Sequence, residues 1–247
     1  MATRAPTSDP RVADLVRVGK VRAGFFPPQF IKETATGELE GPWVELVRAL
    51  AAHIGVQLVV TELATPRALI GCLDAHACDV GSLGFDPSRA AQVEGFTRPF
   101  MQVEYTYLVP AGSAIGGCAD ADRPGVRIAV VRDHASTLAL NRILTQAESV
   151  STQTPDAAFD LLRTGRVDAW ASIRPALLAY SVELSGSRVL ADSYGANLPA
   201  LVVPKGKAAR LAYISEFIEE ACASGLAQRA IERAGQAGYS MAPPGKR

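Results

Sequence analysis

Two stretches of this chain, almost ninety residues apart, repeat one phrase: Leu73-Asp74-Ala75-His76-Ala77-Cys78-Asp79-Val80 and Leu162-Arg163-Thr164-Gly165-Arg166-Val167-Asp168-Ala169. In each, an amphipathic run ends in a leucine, a short turn follows, and an aspartate six residues beyond that leucine opens a small apolar strand. Helix, tight turn and strand in that order are part of a βαβ unit, whose strands end at a crevice where ligands settle. The duplication implies two α/β lobes with a cleft between them.

The composition fits such a chain. Its 247 residues exceed one typical domain, and 48% hydrophobic with 20% charged residues supplies material for two cores. Lysine plus arginine equals aspartate plus glutamate at 25 each, so no global field draws the chain to nucleic acid or an anionic membrane, and the expected partner is small. No run reaches the roughly 18 apolar residues of a membrane span. Met1 to Pro10 lacks the apolar core of a signal peptide, which leaves a cytosolic protein or a mature form with Met1 in place of the signal. The three histidines and four cysteines show no CxxC or HxxxH spacing, which argues against metal chemistry. Cys72 and Cys78 are placed to meet across a helix-to-strand turn in an oxidising compartment, although free buried cysteine is the commoner state.

Along the chain, a strand over Lys20–Phe25 leads into the aromatic turn Phe25-Phe26-Pro27-Pro28-Gln29-Phe30 and a polar hairpin around Thr36-Gly37-Glu38. Trp43, Leu46, Val47, Leu50 and Ile54 share one face of a helix that starts at Pro42 and stops at Gly55. Strand Val56–Glu62, helix Pro66–Asp74, strand Cys78–Leu83, a loop holding Arg89 and strand Val103–Val109 complete the expected first lobe. Pro110–Gly125 reads as a crossing and surface loop. The second half has strand Val126–Val131, helices Ser136–Gln146 and Pro155–Thr164, strand Val167–Ser172, helix Pro175–Leu184 and strand Arg188–Ala191. Leu198–Val203 reads as a return crossing, followed by helices Lys207–Cys222 and Leu226–Ala234. Those last helices need a sheet to cover, so the expected division is 18–109 and 204–247 for lobe 1 and 110–203 for lobe 2.

The order of motifs over Val18–Tyr239 resembles the family 3 solute-binding proteins of bacterial ABC importers. The resemblance rests on Arg22-Ala23-Gly24, Gly41-Pro42-Trp43-Val44-Glu45-Leu46, Leu69-Ile70-Gly71-Cys72-Leu73 through Asp79, Arg89 with Phe96-Thr97-Arg98-Pro99-Phe100, Gly165-Arg166-Val167-Asp168-Ala169 and Val203-Pro204-Lys205-Gly206. It implies the type II periplasmic binding fold: two Rossmann-like lobes joined by a two-strand hinge, with the ligand cleft between them.

The resemblance also implies a ligand set. Arg89 stands where the family holds a ligand's α-carboxylate, and a guanidinium fork suits that task; its residue type alone equally suits pairing with an acid such as Asp86. Ser82 and Gly84 match positions that offer a hydroxyl and backbone groups to the same carboxylate. Phe26 lies where an aromatic covers the ligand side chain, with Phe25 and Trp43 as further candidates, Trp43 also fitting a core position. Arg67 suits a second acidic group of the ligand or a charge at a helix start. In the second lobe the family's usual acid for the α-ammonium falls on Ile173, between Ser172 and Arg174, two residues that favour an anion. An isoleucine cannot balance a buried ammonium, so either Asp133 or Glu45 serves, or the ligand has no amino group. The turn Asp133-His134-Ala135-Ser136 offers helix-start amides to a carboxylate, while Asp133 or Ser136 also suits capping that helix.

The function implied is a periplasmic receptor for an amino acid or related organic acid, needing no cofactor, monomeric, handing its solute to a membrane permease. An alternative is an enzyme on the same scaffold, similar to the cyclohexadienyl dehydratases, with Glu45 or Asp133 as its acid. A regulator's effector lobe normally follows a helix-turn-helix, for which Met1–Arg17 has no pattern.

Overall fold

The computed structural model describes residues 6–33, 36–233 and 237–243. Ala234, the expected last residue of the final helix, lies outside them, as do 1–5 and the end of the expected 204–247 segment.

Along the chain the elements are α1 (Ala13–Val18), β1 (Lys20–Phe25), β2 (Ile31–Lys32), β3 (Leu39–Glu40), α2 (Pro42–Ile54), β4 (Gln57–Glu62), α3 (Pro66–Asp74), β5 (Val80–Gly84) and α4 (Pro87–Ala90). There follow β6 (Met101–Val109), β7 (Arg127–Val131), α5 (Ala135–Leu140), β8 (Glu148–Thr152), α6 (Pro155–Arg163), β9 (Ala169–Ile173), α7 (Arg174–Ser181), β10 (Arg188–Val189) and β11 (Gly195–Asn197). The last elements are β12 (Pro199–Val202), α8 (Ala208–Ala223), α9 (Leu226–Arg233) and β13 (Tyr239–Met241).

The chain divides into two compact units. One runs to Met101 and resumes at Leu198 with the helices α8 and α9; the other spans Gln102–Asn197 and is rejoined by 237–239. Among the described residues the first unit holds a sheet of order β12-β5-β1-β4, in which β1 is parallel to β4 and β5 while β12 runs antiparallel to β5. The second holds a sheet of order β10-β6-β9-β7-β8, with β11 and β13 also pairing with β6.

These pairings move two boundaries. Residues 102–109, expected in the first lobe, belong to the second unit because Tyr105–Leu108 pair antiparallel with Trp170–Ile173. Residues 198–203, expected in the second, join the first because Pro199–Val202 pair with Gly81–Gly84. Arg89 sits on the short helix α4, which Asp86 caps through the Ser88 N–H, and not in a loop. The helix expected over Ser136–Gln146 ends at Leu140, and 148–152 form the edge strand β8.

The repeated phrase has one physical meaning in both units. Asp79 accepts from the backbone N–H, Nε and Nη2 of Arg22, each at 2.9 Å, and donates its own N–H to the Arg22 carbonyl at 2.7 Å. Asp168 repeats this with Arg127 at 2.8, 3.2 and 3.0 Å, and its N–H reaches the Arg127 carbonyl at 2.8 Å. Each aspartate thus fastens the start of one strand to the start of its parallel neighbour. The preceding helices are also alike: Thr65 caps α3 through Ala68 N–H and Thr154 caps α6 through Ala157 N–H, and left-handed His76 and Gly165 turn each chain back into the sheet.

In the first unit α3 lies directly on the sheet. A Cβ at Gly81 or at Gly24 would stand 2.6 Å from Leu69 Cδ1, so the absence of side chains there permits the contact. Cys72 and Cys78 form a disulfide across the α3–β5 turn, and closing so short a loop stabilises the fold by about 2 kcal/mol in the chain-entropy model. The second unit buries apolar residues on both sheet faces, Ile128, Val130 and Ala171 on one and Ala129, Val131 and Trp170 on the other, the pattern of a sheet covered on both sides.

Burial opposes ionisation of Asp79, yet the hydrogen bonds from Arg22 hold its carboxyl below the usual range. A depressed folded pKa contributes stability that is present above about pH 4 and lost as pH falls through the folded value. Asp79→Ala is therefore expected to cost about 3 kcal/mol at neutral pH and to flatten the acid limb of the stability profile. Urea unfolding between pH 3 and 7 checks this, and an unchanged acid limb would contradict it.

Candidate functional site

In the first unit the candidate residues gather at the far ends of β1 and β5. Gly84 ends β5, and its carbonyl accepts from Arg89 Nη1 at 3.2 Å. Arg89 is 4% exposed despite its charge, and a buried guanidinium is held only where acceptors surround it. The Phe25–Phe30 turn is stapled to the same strand by Gln29, whose Nε2 donates to the Ser82 carbonyl at 2.7 Å while its Oε1 accepts from Phe26 N–H at 3.3 Å. Sequence reasoning passed over Gln29, since nothing in its surroundings along the chain marks a glutamine as buried.

Four other candidates, Ser82, Phe26, Phe25 and Trp43, are buried. Ser82 is fully buried within the sheet and donates its hydroxyl to the Ala200 carbonyl at 3.3 Å. Phe26 is packed in a cluster with Leu69, Leu83 and Val202. The aromatic side chain open to solvent at this strand end is Phe85, 62% exposed and edge-on to Phe96 at 5.4 Å between ring centroids. Phe25 is buried in the core, and Trp43 is buried on α2 among the core positions of that helix. Arg67 is exposed on the first turn of α3.

In the second unit β7 and β9 end at the turns leading into α5 and α7. Asp133 is exposed with φ 62°, His134 is the buried N-cap residue of α5, Ala135 is half-buried and Ser136 is buried. The N-cap residue of α5 is His134, not the expected Asp133 or Ser136, and its side chain makes no capping hydrogen bond. Thr137 instead ties α5 to β7 by donating to the Val131 carbonyl at 2.7 Å. Tyr194 stacks on Tyr105 and donates to the Ser136 carbonyl at 3.3 Å. Burial raises its phenol well above the ordinary value, so it remains a neutral donor.

Ser172 is buried in β9 opposite Thr106, and Ile173, at the N-cap of α7, is also buried. Arg174 is a latch within its unit: Nε donates to Glu104 at 2.6 Å, Nη1 to the Leu190 carbonyl at 2.7 Å, and Nη2 to the carbonyls of Ala191 and Asp192 at 2.9 and 3.1 Å. Those contacts span up to 70 residues and left no local signal. Glu45, the other acid considered for an ammonium, is ion-paired to Arg48 and Arg233.

Burial and the neighbouring Asp192 carboxylate push the Cys118 thiol up to about 12, which keeps it protonated and unreactive at neutral pH. Among the described residues no group of His, Cys, Asp and Glu could hold a metal.

The model of the bacterial extracellular solute-binding proteins, family 3, matches residues 17–236. No curated protein matches the chain. Among solved structures, an ancestral amino-acid-binding protein described as a precursor of cyclohexadienyl dehydratase is 22% identical, with 90% of this chain and 97% of that one covered and a TM-score of 0.77. A putative ABC-transporter binding component from Wolinella succinogenes, complexed with lysine, is 21% identical over 87% and 95% of the chains at 0.76. A solute receptor for L-cysteine from Neisseria gonorrhoeae is 24% identical over 90% and 92%, also at 0.76.

The latch yields a test of its own. Arg174→Ala strips four acceptors of a charged donor and is expected to lower stability by about 2–4 kcal/mol, read as a shift in the urea midpoint. Unchanged stability would return Arg174 to the list of residues held ready for an anion.

Proposed function

This chain belongs to the bacterial extracellular solute-binding proteins of family 3, and from that membership we propose that it is the receptor of an ABC importer for a small carboxylate-bearing solute, an amino acid or related organic acid. The observation that carries the ligand class is Arg89, a buried guanidinium fork beside the Gly84 carbonyl at the end of β5. A carboxylate there gains two parallel charge-assisted bonds that lysine cannot reproduce. Phe85, exposed at the same strand end, offers an aromatic edge for the apolar part of the solute. Arg67, exposed in the same unit, is a candidate for a second acidic group of the solute.

The proposal is for binding without turnover. An elimination needs an acid aimed at the leaving group, and Glu45, one of the two acids available for it, is engaged by two arginines. A periplasmic setting suits the Cys72–Cys78 disulfide, since such bonds persist in oxidising compartments. The membrane partner is then a permease that accepts the loaded receptor.

A solute at 100 times its dissociation constant adds about 2.7 kcal/mol to stability. In a thermal-shift screen of amino acids against matched carboxylic and keto acids, at least one class is expected to stabilise the wild type and leave Arg89→Ala unmoved. Equal shifts in both proteins would reject Arg89 as the carboxylate contact.

A further inference from the structure

At the opposite end of β1 and β5 from Arg89, the first unit carries a second, strongly charged cavity of about 310 Å³. It lies between α1, the start of β1, the turn before β5 and the first turn of α8. Lys20 to Phe25 spans about 17 Å at the rise of an extended strand, so the cavity is separate from the residues proposed to hold the solute.

Its charges do not balance. Asp79 is shared by Arg22 and Arg210, and Asp14 by Arg210 and Lys207, at 2.6–3.2 Å. Two further cations line the cavity, Arg17 and Lys20, and neither has an acidic partner among the described residues. Five cations against two carboxylates leave a surplus of three positive charges. Moreover, Arg210 is 4% exposed, and its Nε has no acceptor among the described residues. A buried guanidinium with an unmet donor is costly, and like charges gathered in a concave site raise the local concentration of counter-ions.

We propose that this cavity is a second ligand site, taking a polyvalent oxyanion of the phosphate class. A single carboxylate would leave most of the surplus uncompensated, whereas a phosphate group carries close to two charges and presents oxygens in several directions to Arg and Lys donors. The volume equals about ten waters at roughly 30 Å³ each, enough for phosphate or pyrophosphate. The occupant ties α1 and α8 to the strand starts, adding to the Asp79 clamp. The same chemistry is offered by a free anion and by a phosphomonoester lipid headgroup.

Isothermal titration calorimetry of the full chain with inorganic pyrophosphate at fixed ionic strength tests the site. Wild type and Arg89→Ala are expected to bind alike, while Arg17→Glu/Lys20→Glu binds about tenfold or more weakly. If the double variant does not fold, Arg17→Ala, at an exposed position, is expected to weaken binding about threefold or more on the same grounds. Competition by phosphatidylcholine vesicles containing phosphatidic acid, but not by pure phosphatidylcholine, would identify a headgroup as the source; absence of competition would identify a free anion. Wild type binding neither pyrophosphate nor the acidic vesicles, or variants binding like wild type, would overturn the proposal. Loss of binding in Arg89→Ala would overturn the separateness of the two sites.

Discussion

The structure depends on an aspartate that binds one neighbouring arginine three times over. A carboxylate at a strand start receives the backbone N–H and the guanidinium fork of the residue on the adjacent parallel strand, as Asp79 does from Arg22 and Asp168 from Arg127. Because the main chain is included, the contact fixes strand register as well as charge. With the strand starts fastened, the other ends are left to vary, and those ends carry Gly84, Arg89, Asp133 and Ile173. In this way the clamp occupies one end of each strand and leaves the other to the residues proposed for recognition, in keeping with the placement of ligands at carboxyl ends in α/β sheets.

The two clamps are not equivalent. Asp79 lies deep in its unit and recruits a second arginine, Arg210 from α8, while the disulfide secures the turn just before it. Asp168 is more open and has Arg127 as its ion-pair partner. The first unit is interrupted in sequence and must bring β12 and α8 back from beyond residue 197, so added links between distant segments offset a larger loop-closure cost. The second unit is nearly continuous and relies on two buried sheet faces.

Much of this was legible in the chain. The repeated leucine-to-aspartate spacing marked both helix-turn-strand units, and Pro42, Gly55, Pro66 and Pro155 punctuated their helices where the structure has them. Motif order carried the family. What failed to show was partnership across long separations. Val103–Val109 reads as a strand in any lobe, and only the pairing of β6 with β9 assigns it. Edge strand β8 is mostly polar and exposed, without the apolar alternation that periodicity detects. The Cys72–Cys78 bond was one of two readings until the turn brought the sulfurs together. At the site, residue type indicated chemistry but not commitment: Arg174 and Ser82 have the right groups, yet Glu104 and several main-chain carbonyls had already engaged them. Phe26 is buried and Phe85 exposed, with the Phe25–Phe30 turn held by Gln29, an arrangement that residue type alone does not reveal.

The central claim is that a solute carboxylate rests on Arg89. A crystal structure of the protein grown with a stabilising solute tests it most directly. The account predicts carboxylate oxygens within about 3 Å of the Arg89 guanidinium nitrogens. A solute bound with its carboxylate on other residues, and Arg89 making no contact with it, would contradict the account.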